Sequence, residues 1–144
     1  MAKLHQIWIK RAHGGRMDGA DRSTLIAGRG LAGNANQGGK RQVTLLDLAR
    51  WRQLTGAFHT DLDTSARRCN LVIEGLDLYE SRGRTLRIGA ARLLVHGETL
   101  PCERMDEALP GLQDAMRGRS SGGVFAEVID GGDISVGDEV GWDS

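Results

Sequence analysis

The sequence has few cysteines and no long apolar run, and both absences narrow the class of protein. No stretch approaches the roughly 20 apolar residues of a membrane span, and the N-terminal residues lack the apolar segment of a secretory signal. Two cysteines, Cys69 and Cys102, are too few for a disulfide scaffold. We therefore expect a cytoplasmic protein with free thiols and no membrane contact.

Proline and aromatic residues are also scarce, whereas glycine is abundant. The chain has 2 prolines and 21 glycines among 144 residues, so its glycine content is about twice the usual share of roughly 7%. Many glycines with few prolines favour turn-rich β-structure over a disordered linker. Because the net charge is zero and no aromatic stacking motif is present, general nucleic-acid binding is not expected.

Charge is distributed unevenly along the chain. Residues 1–72 hold 12 Lys/Arg against 5 Asp/Glu, and residues 73–144 hold 7 against 14. The basic half either lines a face for an anionic ligand or pairs with the acidic half within the fold. The length corresponds to about one domain, so we expect a single domain over residues 1–144.

Segments with strand character dominate the sequence. Alternation or β-branched content predicts strands in KLHQIWIKRA, RQVTLL, RRCNLVIEGLDL, TLRIG, ARLLVHG, GGVFAEVIDGG and DISVGDEVGW. Asp47 is the predicted N-cap of the helix LARWRQLTG, in which Leu48, Trp51 and Leu54 share one face. ERMDEALPGLQDAMRG predicts two further short helices. The predicted fold is therefore mostly β (mixed α+β), a β-barrel with a few short helices.

Two segments carry more specific expectations. The Gly- and Asn-rich stretch 13–40 is predicted to be a long functional or mobile loop. In residues 68–74, a period of two places Cys69, Leu71 and Ile73 on one face of a strand. Cys69 is therefore expected to be a small buried hydrophobic residue.

Cys102 differs because it follows Pro101 at a predicted strand end and precedes charged residues. Nearby cations would lower its pKa and make it a nucleophile. The arginines in the same segment are Arg104, Arg117 and Arg119, and the nearest histidine is His96. A zinc site is not indicated because no CxxC or HxxxH spacing is present. A softer metal already held by a cofactor would accept a single thiolate, and an inert loop thiol is the remaining alternative.

The order of several short motifs resembles the MOSC domain, the family named after the C-terminal domain of molybdenum cofactor sulfurases. The resemblance covers about residues 28–140. Its anchors are Arg68-x-Asn70-Leu71, Gly75-Leu76, Ile88-Gly89, Pro101-Cys102, Gly122-Gly123 and Gly137-Asp138. The chain is similar to a small stand-alone member of this family.

The resemblance implies a mixed β-barrel and a functional role for Cys102, which matches the family's proposed functional cysteine. That residue is either a thiolate ligand to molybdenum or a persulfide sulfur carrier. The implied activity is molybdopterin-dependent reduction of N-hydroxylated compounds with an electron-transfer partner. The alternatives are a sulfur transferase supplied by a cysteine desulfurase and a non-catalytic binding module with the MOSC fold.

The phosphate of molybdopterin needs arginine forks or backbone N–H groups. The candidate cofactor-binding residues are Arg29, Arg41, Arg67, Arg68 and Asn70. The chain departs from the family pattern at Asn34 and Asn36, where many members carry an acid after glycine and then a histidine. This departure removes the two groups that a proton-transfer role at that place would use.

Overall fold

The computed structural model describes residues 2–60, 62–100, 103–117 and 121–143, and these form a mostly β fold with few short helices, as predicted. The strands are β1 (Lys3–Lys10), β2 (Met17–Ala20), β3 (Arg22–Ile26), β4 (Gly30–Leu31), β5 (Val43–Asp47), β6 (Leu71–Glu74), β7 (Thr85–Ile88), β8 (Ala91–Glu98), β9 (Gly123–Asp130), β10 (Gly132–Ser135) and β11 (Val140–Trp142). The helices are α1 (Leu48–Gly56), α2 (Glu103–Ala108) and α3 (Leu112–Met116), with a 3-10 helix at Thr64–Arg67. None of the described helices has the length and apolar character to cross a bilayer.

The strands are arranged in one large and one small sheet. The large sheet has the order β11-β7-β8-β9-β5-β6-β1-β2, and the small sheet has the order β10-β3-β4. Over the described residues, the edge strands β2 and β11 do not pair, so the large sheet is not closed into the predicted barrel. The reason is that β1 meets the β11 side only at its start, where Leu4 N donates to Asp138 O and Val140 N donates to Ala2 O. The later part of β1 pairs with β2 instead.

Two apolar clusters lie on opposite faces of the large sheet. The first includes Leu45 and Leu71 of the large sheet and Leu25 of the small one. The second lies between the large sheet and the helices and includes Leu46 and Trp51. Alternation along β5 and β6 therefore sends successive side chains to different clusters.

Helix α1 forms where the sequence predicts it. The Asp47 carboxylate accepts a hydrogen bond from Arg50 N at 3.2 Å, and Leu48, Trp51 and Leu54 are buried. The other carboxylate oxygen of Asp47 accepts from Leu78 N at 3.3 Å. The N-cap residue therefore also ties the loop after β6 to the start of the helix.

The prediction of one long loop over residues 13–40 is wrong, because this stretch contains β2, β3 and β4. Strand β2 pairs with β1, and β3 pairs with both β4 and β10. Leu25 and Leu31 anchor the small sheet in the core. Two isolated leucines among glycines do not produce the alternation by which strands are recognised, so the sequence pattern concealed these elements.

Cys69 is buried as predicted, but the predicted face is wrong. It packs in the helix-side cluster with Val72, whereas Leu71 and Ile73 belong to the opposite cluster. Arg68 has the left-handed φ of 63°, and β6 begins only at Leu71. The alternation of β6 therefore does not extend back to Cys69.

Candidate functional site

A small cationic cleft lies where the end of β1, the start of β5 and the residues before β6 meet. Its lining residues are Lys10, Asn34, Asn36, Arg41, Gln42, Thr44, Arg68 and Asn70. These described lining residues include three cations and no Asp or Glu. The charge of the cleft therefore suits an anionic group.

The surroundings of Lys10 disfavour its positive charge. Burial lowers the pKa of its amine, and the guanidinium groups of Arg68, Arg41 and Arg104 lower that pKa further. Arg68 is held in place because its Nη2 donates to Gly15 O. A bound anion would relieve the repulsion among these positive groups, so the electrostatics favour an anionic ligand.

The wall of the cleft is fixed by a buried amide network. Asn70 Oδ1 accepts from Thr44 N at 3.2 Å and from Thr44 Oγ1 at 3.3 Å. Asn70 Nδ2 donates to Trp8 O at 3.1 Å and to Asn34 Oδ1 at 3.0 Å. Asn34 Oδ1 also accepts from Lys10 N at 2.9 Å. The amides of Asn34 and Asn70 therefore connect the end of β1, the start of β5 and the residues just before β6. The three cations of the cleft lie at these places.

Asn36 contributes an unsatisfied polar group to the same cleft. Its Oδ1 is buried and has no hydrogen-bond partner within the described part of the chain. Buried polar atoms are normally paired, and an asparagine amide can present either its oxygen or its NH₂ group after a flip. Asn36 therefore offers a hydrogen bond to a ligand in the cleft.

The structure brings three of the five predicted cofactor-binding residues together: Arg41, Arg68 and Asn70. Arg29 is exposed near the β3–β4 turn, outside the cleft lining. Arg67 is also outside that lining, although it directly precedes Arg68 in the sequence. Lys10 was not predicted as a site residue; its signal was a lysine directly after the apolar run Ile7-Trp8-Ile9.

Arg67 joins two other parts of the fold. It is buried, and its Nη2 donates to Thr99 Oγ1 at 2.7 Å, while its Nε has no partner among the described residues. Gly123 makes this close approach possible, because a Cβ at this position would lie 2.3 Å from Thr99 Oγ1. Arg67 therefore ties the 3-10 helix to the chain after β8.

Of the two cysteines, Cys69 alone lies within the described residues. Burial raises the pKa of the Cys69 thiol, and this side chain is 2% exposed. Cys102, the predicted catalytic and metal-binding residue, lies outside the described residues together with Pro101. His96, the histidine considered as its partner, is bonded through Nε2 to Glu127 Oε1 at 2.9 Å. Within the described ranges, no three His, Cys, Asp or Glu side chains are grouped to hold a metal.

The MOSC domain family model matches residues 11–141. The chain belongs to the MOSC domain family. This family is associated with proteins related to molybdenum cofactor sulfurases. No curated protein sequence matches this MOSC domain significantly.

Solved structures share the fold of this MOSC domain. YuaD from Bacillus subtilis superposes with a TM-score of 0.82 at 18% identity, covering 96% of this chain and 93% of YuaD. YiiM from Escherichia coli has a TM-score of 0.72 at 18% identity, covering 100% of this chain and 70% of YiiM. YiiM from Geobacillus stearothermophilus has a TM-score of 0.77 at 16% identity, covering 100% of this chain and 76% of that YiiM. These similarities establish the fold.

Proposed function

We propose that this MOSC domain binds molybdopterin, with the cofactor phosphate in the cationic cleft and Cys102 as a thiolate ligand to molybdenum. The observation that carries the proposal is the convergence of Lys10, Arg41 and Arg68 in a cleft whose described lining has no carboxylate. Guanidinium forks match the geometry of phosphate oxygens, and an ammonium group adds a compact charge.

The residues present fit the phosphate end of the cofactor. Arg41 and Arg68 would bind its oxygens, Lys10 would neutralise its charge, and the unsatisfied Asn36 amide would supply a further hydrogen bond. Arg104 lies two residues after Cys102 in the chain and would favour the thiolate form of that cysteine. When bound, the molybdenum centre supplies the redox chemistry for reducing N-hydroxylated compounds. A separate electron-transfer protein would be the partner.

The test is the molybdenum and pterin content of protein produced in a host that makes the cofactor. The parent protein should contain both, and Arg41→Gln should lose most of each because the phosphate loses a bidentate contact. Arg29→Gln is the matched control, since Arg29 is exposed outside the cleft, and it should match the parent. Equal losses in the two variants, or a parent without molybdenum and pterin, would contradict the proposal.

The role of Cys102 is tested separately, with the buried Cys69 as its control. Cys102→Ser should lose molybdenum but retain the fold, whereas Cys69→Ser should retain molybdenum. The sulfur-carrier alternative predicts a different result, since the cations of this site would also favour a persulfide anion. Protein treated with a cysteine desulfurase and cysteine would then gain the mass of one sulfur atom on Cys102 without binding molybdenum.

A further inference from the structure

Segment 100–120 begins and ends at a cluster of buried polar residues. Arg67, Thr99 and Ser121 are 6%, 1% and 2% exposed. Arg67 Nη2 donates to Thr99 Oγ1 at 2.7 Å, and Ser121 Oγ donates to Thr99 O at 2.6 Å. Thr99 N also donates to Gly123 O at 3.0 Å. These contacts join the 3-10 helix to the residues on both sides of the segment.

The charge of Arg67 is buried beside uncharged oxygens. Its described partners are both oxygens of Thr99, and its Nε has no partner within the described part of the chain. Burying a charge costs desolvation energy, and replacing buried ionic groups with apolar side chains is often neutral or stabilising. The guanidinium is therefore better explained by where it holds the chain than by the stability that it adds.

The covalent chain places this cluster close to the cationic cleft. Arg67 directly precedes Arg68, which lines the cleft, so their Cα atoms are about 3.8 Å apart. Cys102 follows Thr99 by three residues, so its Cα lies at most roughly 11 Å from that of Thr99. The contact between Arg67 and Thr99 therefore keeps Cys102 within a short chain length of the cleft.

The start of α2 also approaches the cleft. Arg104 Nη2 lies 3.8 Å from the position that a Cβ on Gly14 would occupy. Gly14 belongs to the loop between β1 and β2, which Arg68 holds through a hydrogen bond to the next carbonyl. The charge of Arg104 contributes to the lowered pKa of Lys10 in the cleft. The segment therefore extends a cation toward the cleft two residues after Cys102.

We propose that Arg67 is a positioning residue, which holds Thr99 and, through it, Ser121, so that segment 100–120 keeps Cys102 beside the cationic cleft. Arg67 acts without touching a ligand. The inference rests on the proposed function, because the purpose of this placement is to present the Cys102 thiolate to molybdenum. Residues that orient a metal ligand typically contribute about 10–100-fold to metal affinity.

The first test measures the placement in the cofactor-free full chain by pulsed electron spin resonance. Spin labels on Cys102 and on Arg22→Cys, an exposed position of β3, report one distance in a Cys69→Ser background. Arg67→Met should widen the distance distribution about twofold, with a urea midpoint close to that of the unmutated background. Thr99→Val should also widen it, because the acceptor is lost, whereas Thr99→Ser keeps the hydroxyl and should not.

An unchanged distribution in both Arg67→Met and Thr99→Val would overturn the inference. If Arg67→Met does not fold, the comparison of Thr99→Val with Thr99→Ser decides alone. Equal widening in these two Thr99 variants would also overturn it, because the hydroxyl would then have no role in holding the segment.

The second test measures molybdenum and pterin in protein from a host that makes the cofactor. Arg67→Met should retain pterin, because the cleft cations are intact, but its ratio of molybdenum to pterin should fall about tenfold. Leu25→Ala, which disturbs the apolar cluster on the opposite face of the sheet, is the control for general destabilisation and should keep the parent's ratio. A parental ratio in Arg67→Met would overturn the inference and leave the proposed function standing. A parent without molybdenum and pterin would instead contradict the proposed function, whatever the spin labels report.

Discussion

One face of the large sheet has a covered end and an open end, and the two ends are built from the same strands. At the covered end, Leu46 of β5 and Val72 of β6 lie beneath helices, packed with Trp51 in an apolar cluster. At the open end, Thr44 of β5 and the neighbouring Asn70 line the cationic cleft. Two positions apart on β5, Leu46 therefore packs in the apolar cluster and Thr44 lines the cleft. Stability should therefore depend on one end and anion binding on the other.

The largest expected effect is at the covered end, in Trp51→Ala. Trp51 is 1% exposed, and its Nε1 donates to Leu62 O at 2.9 Å. Removing a large buried ring should lower the free energy of unfolding by about 3–5 kcal/mol, measured by urea denaturation. Arg52→Ala on the exposed side of α1 is the control and should change it by less than about 0.5 kcal/mol. Similar values for the two variants would show that the helices add little to stability.

At the boundary between the two ends, Asn70→Ala should affect both stability and binding. The change removes the hydrogen-bond partner of Thr44 N and Trp8 O and one of the two hydrogen bonds to Asn34 Oδ1, at a cost of about 2–3 kcal/mol in unfolding free energy. Asn36→Ala is the contrasting variant, because its Oδ1 has no partner among the described residues. It should weaken phosphate binding in calorimetry while changing stability little. A stability loss as large as that of Asn70→Ala would refute this separation.

A smaller loss, about 1–2 kcal/mol, is expected for Asp47→Ala, which removes the N-cap of α1 and the acceptor for Leu78 N. Burial raises the pKa of Asp47, so the folded state favours its protonated form. The parent should therefore be more stable below the unfolded pKa of Asp47 and should lose that added stability as the pH rises through the raised folded pKa, whereas the variant lacks this change. Urea titrations from acid to neutral pH would detect the difference. A variant whose stability depends on pH in the same way as that of the parent would contradict the assignment of this pH dependence to Asp47.

The smallest effect, and one of opposite sign, is expected for Lys10→Met at the open end. The pKa of folded Lys10 is below its ordinary value of 10.5, so its charge opposes folding at neutral pH. Removing the charge should stabilise the free protein by a few tenths of a kcal/mol, because solvent screens this half-buried side chain. The gain should disappear as the pH rises from the folded pKa to the unfolded pKa. Added phosphate should raise the Tm of the parent more than that of the variant. A larger rise in the variant would argue against anion binding at Lys10.

The fold was largely predictable where alternation and caps act locally. Strand β1, helix α1 and strand β9 follow from short apolar patterns and, for α1, from the Asp47 cap. Strands β3 and β4 of the small sheet were not predicted, because they depend on distant partners for pairing, whereas β10 overlaps the predicted strand DISVGDEVGW. The face of Cys69 was also missed, since the left-handed backbone at Arg68 interrupts the period of two.

The candidate site was predictable in part, through the motif that contains Arg68 and Asn70. Local sequence does not distinguish Arg67 from Arg68, yet the first is buried against Thr99 and the second lines the cleft. The backbone N–H of Lys10 donates to the side chain of Asn34, 24 residues away, and this contact holds the end of β1 beside the loop after β4. Such a long-range contact is not encoded in single-sequence patterns. The role of Cys102 stays a prediction.

The contact between Phe125 and Gly97 has a consequence for how the sequence of this domain can diverge. A methyl group at position 97 would lie 3.1 Å from one ring carbon and 3.2 Å from the next, so the ring would have to move by a few tenths of an ångström. The two positions are therefore expected to change together during evolution. Among relatives, an aromatic residue at the equivalent of 125 should accompany glycine at the equivalent of 97. This residue pair would then identify, from sequence alone, which members of the family place an aromatic ring against the backbone of β8.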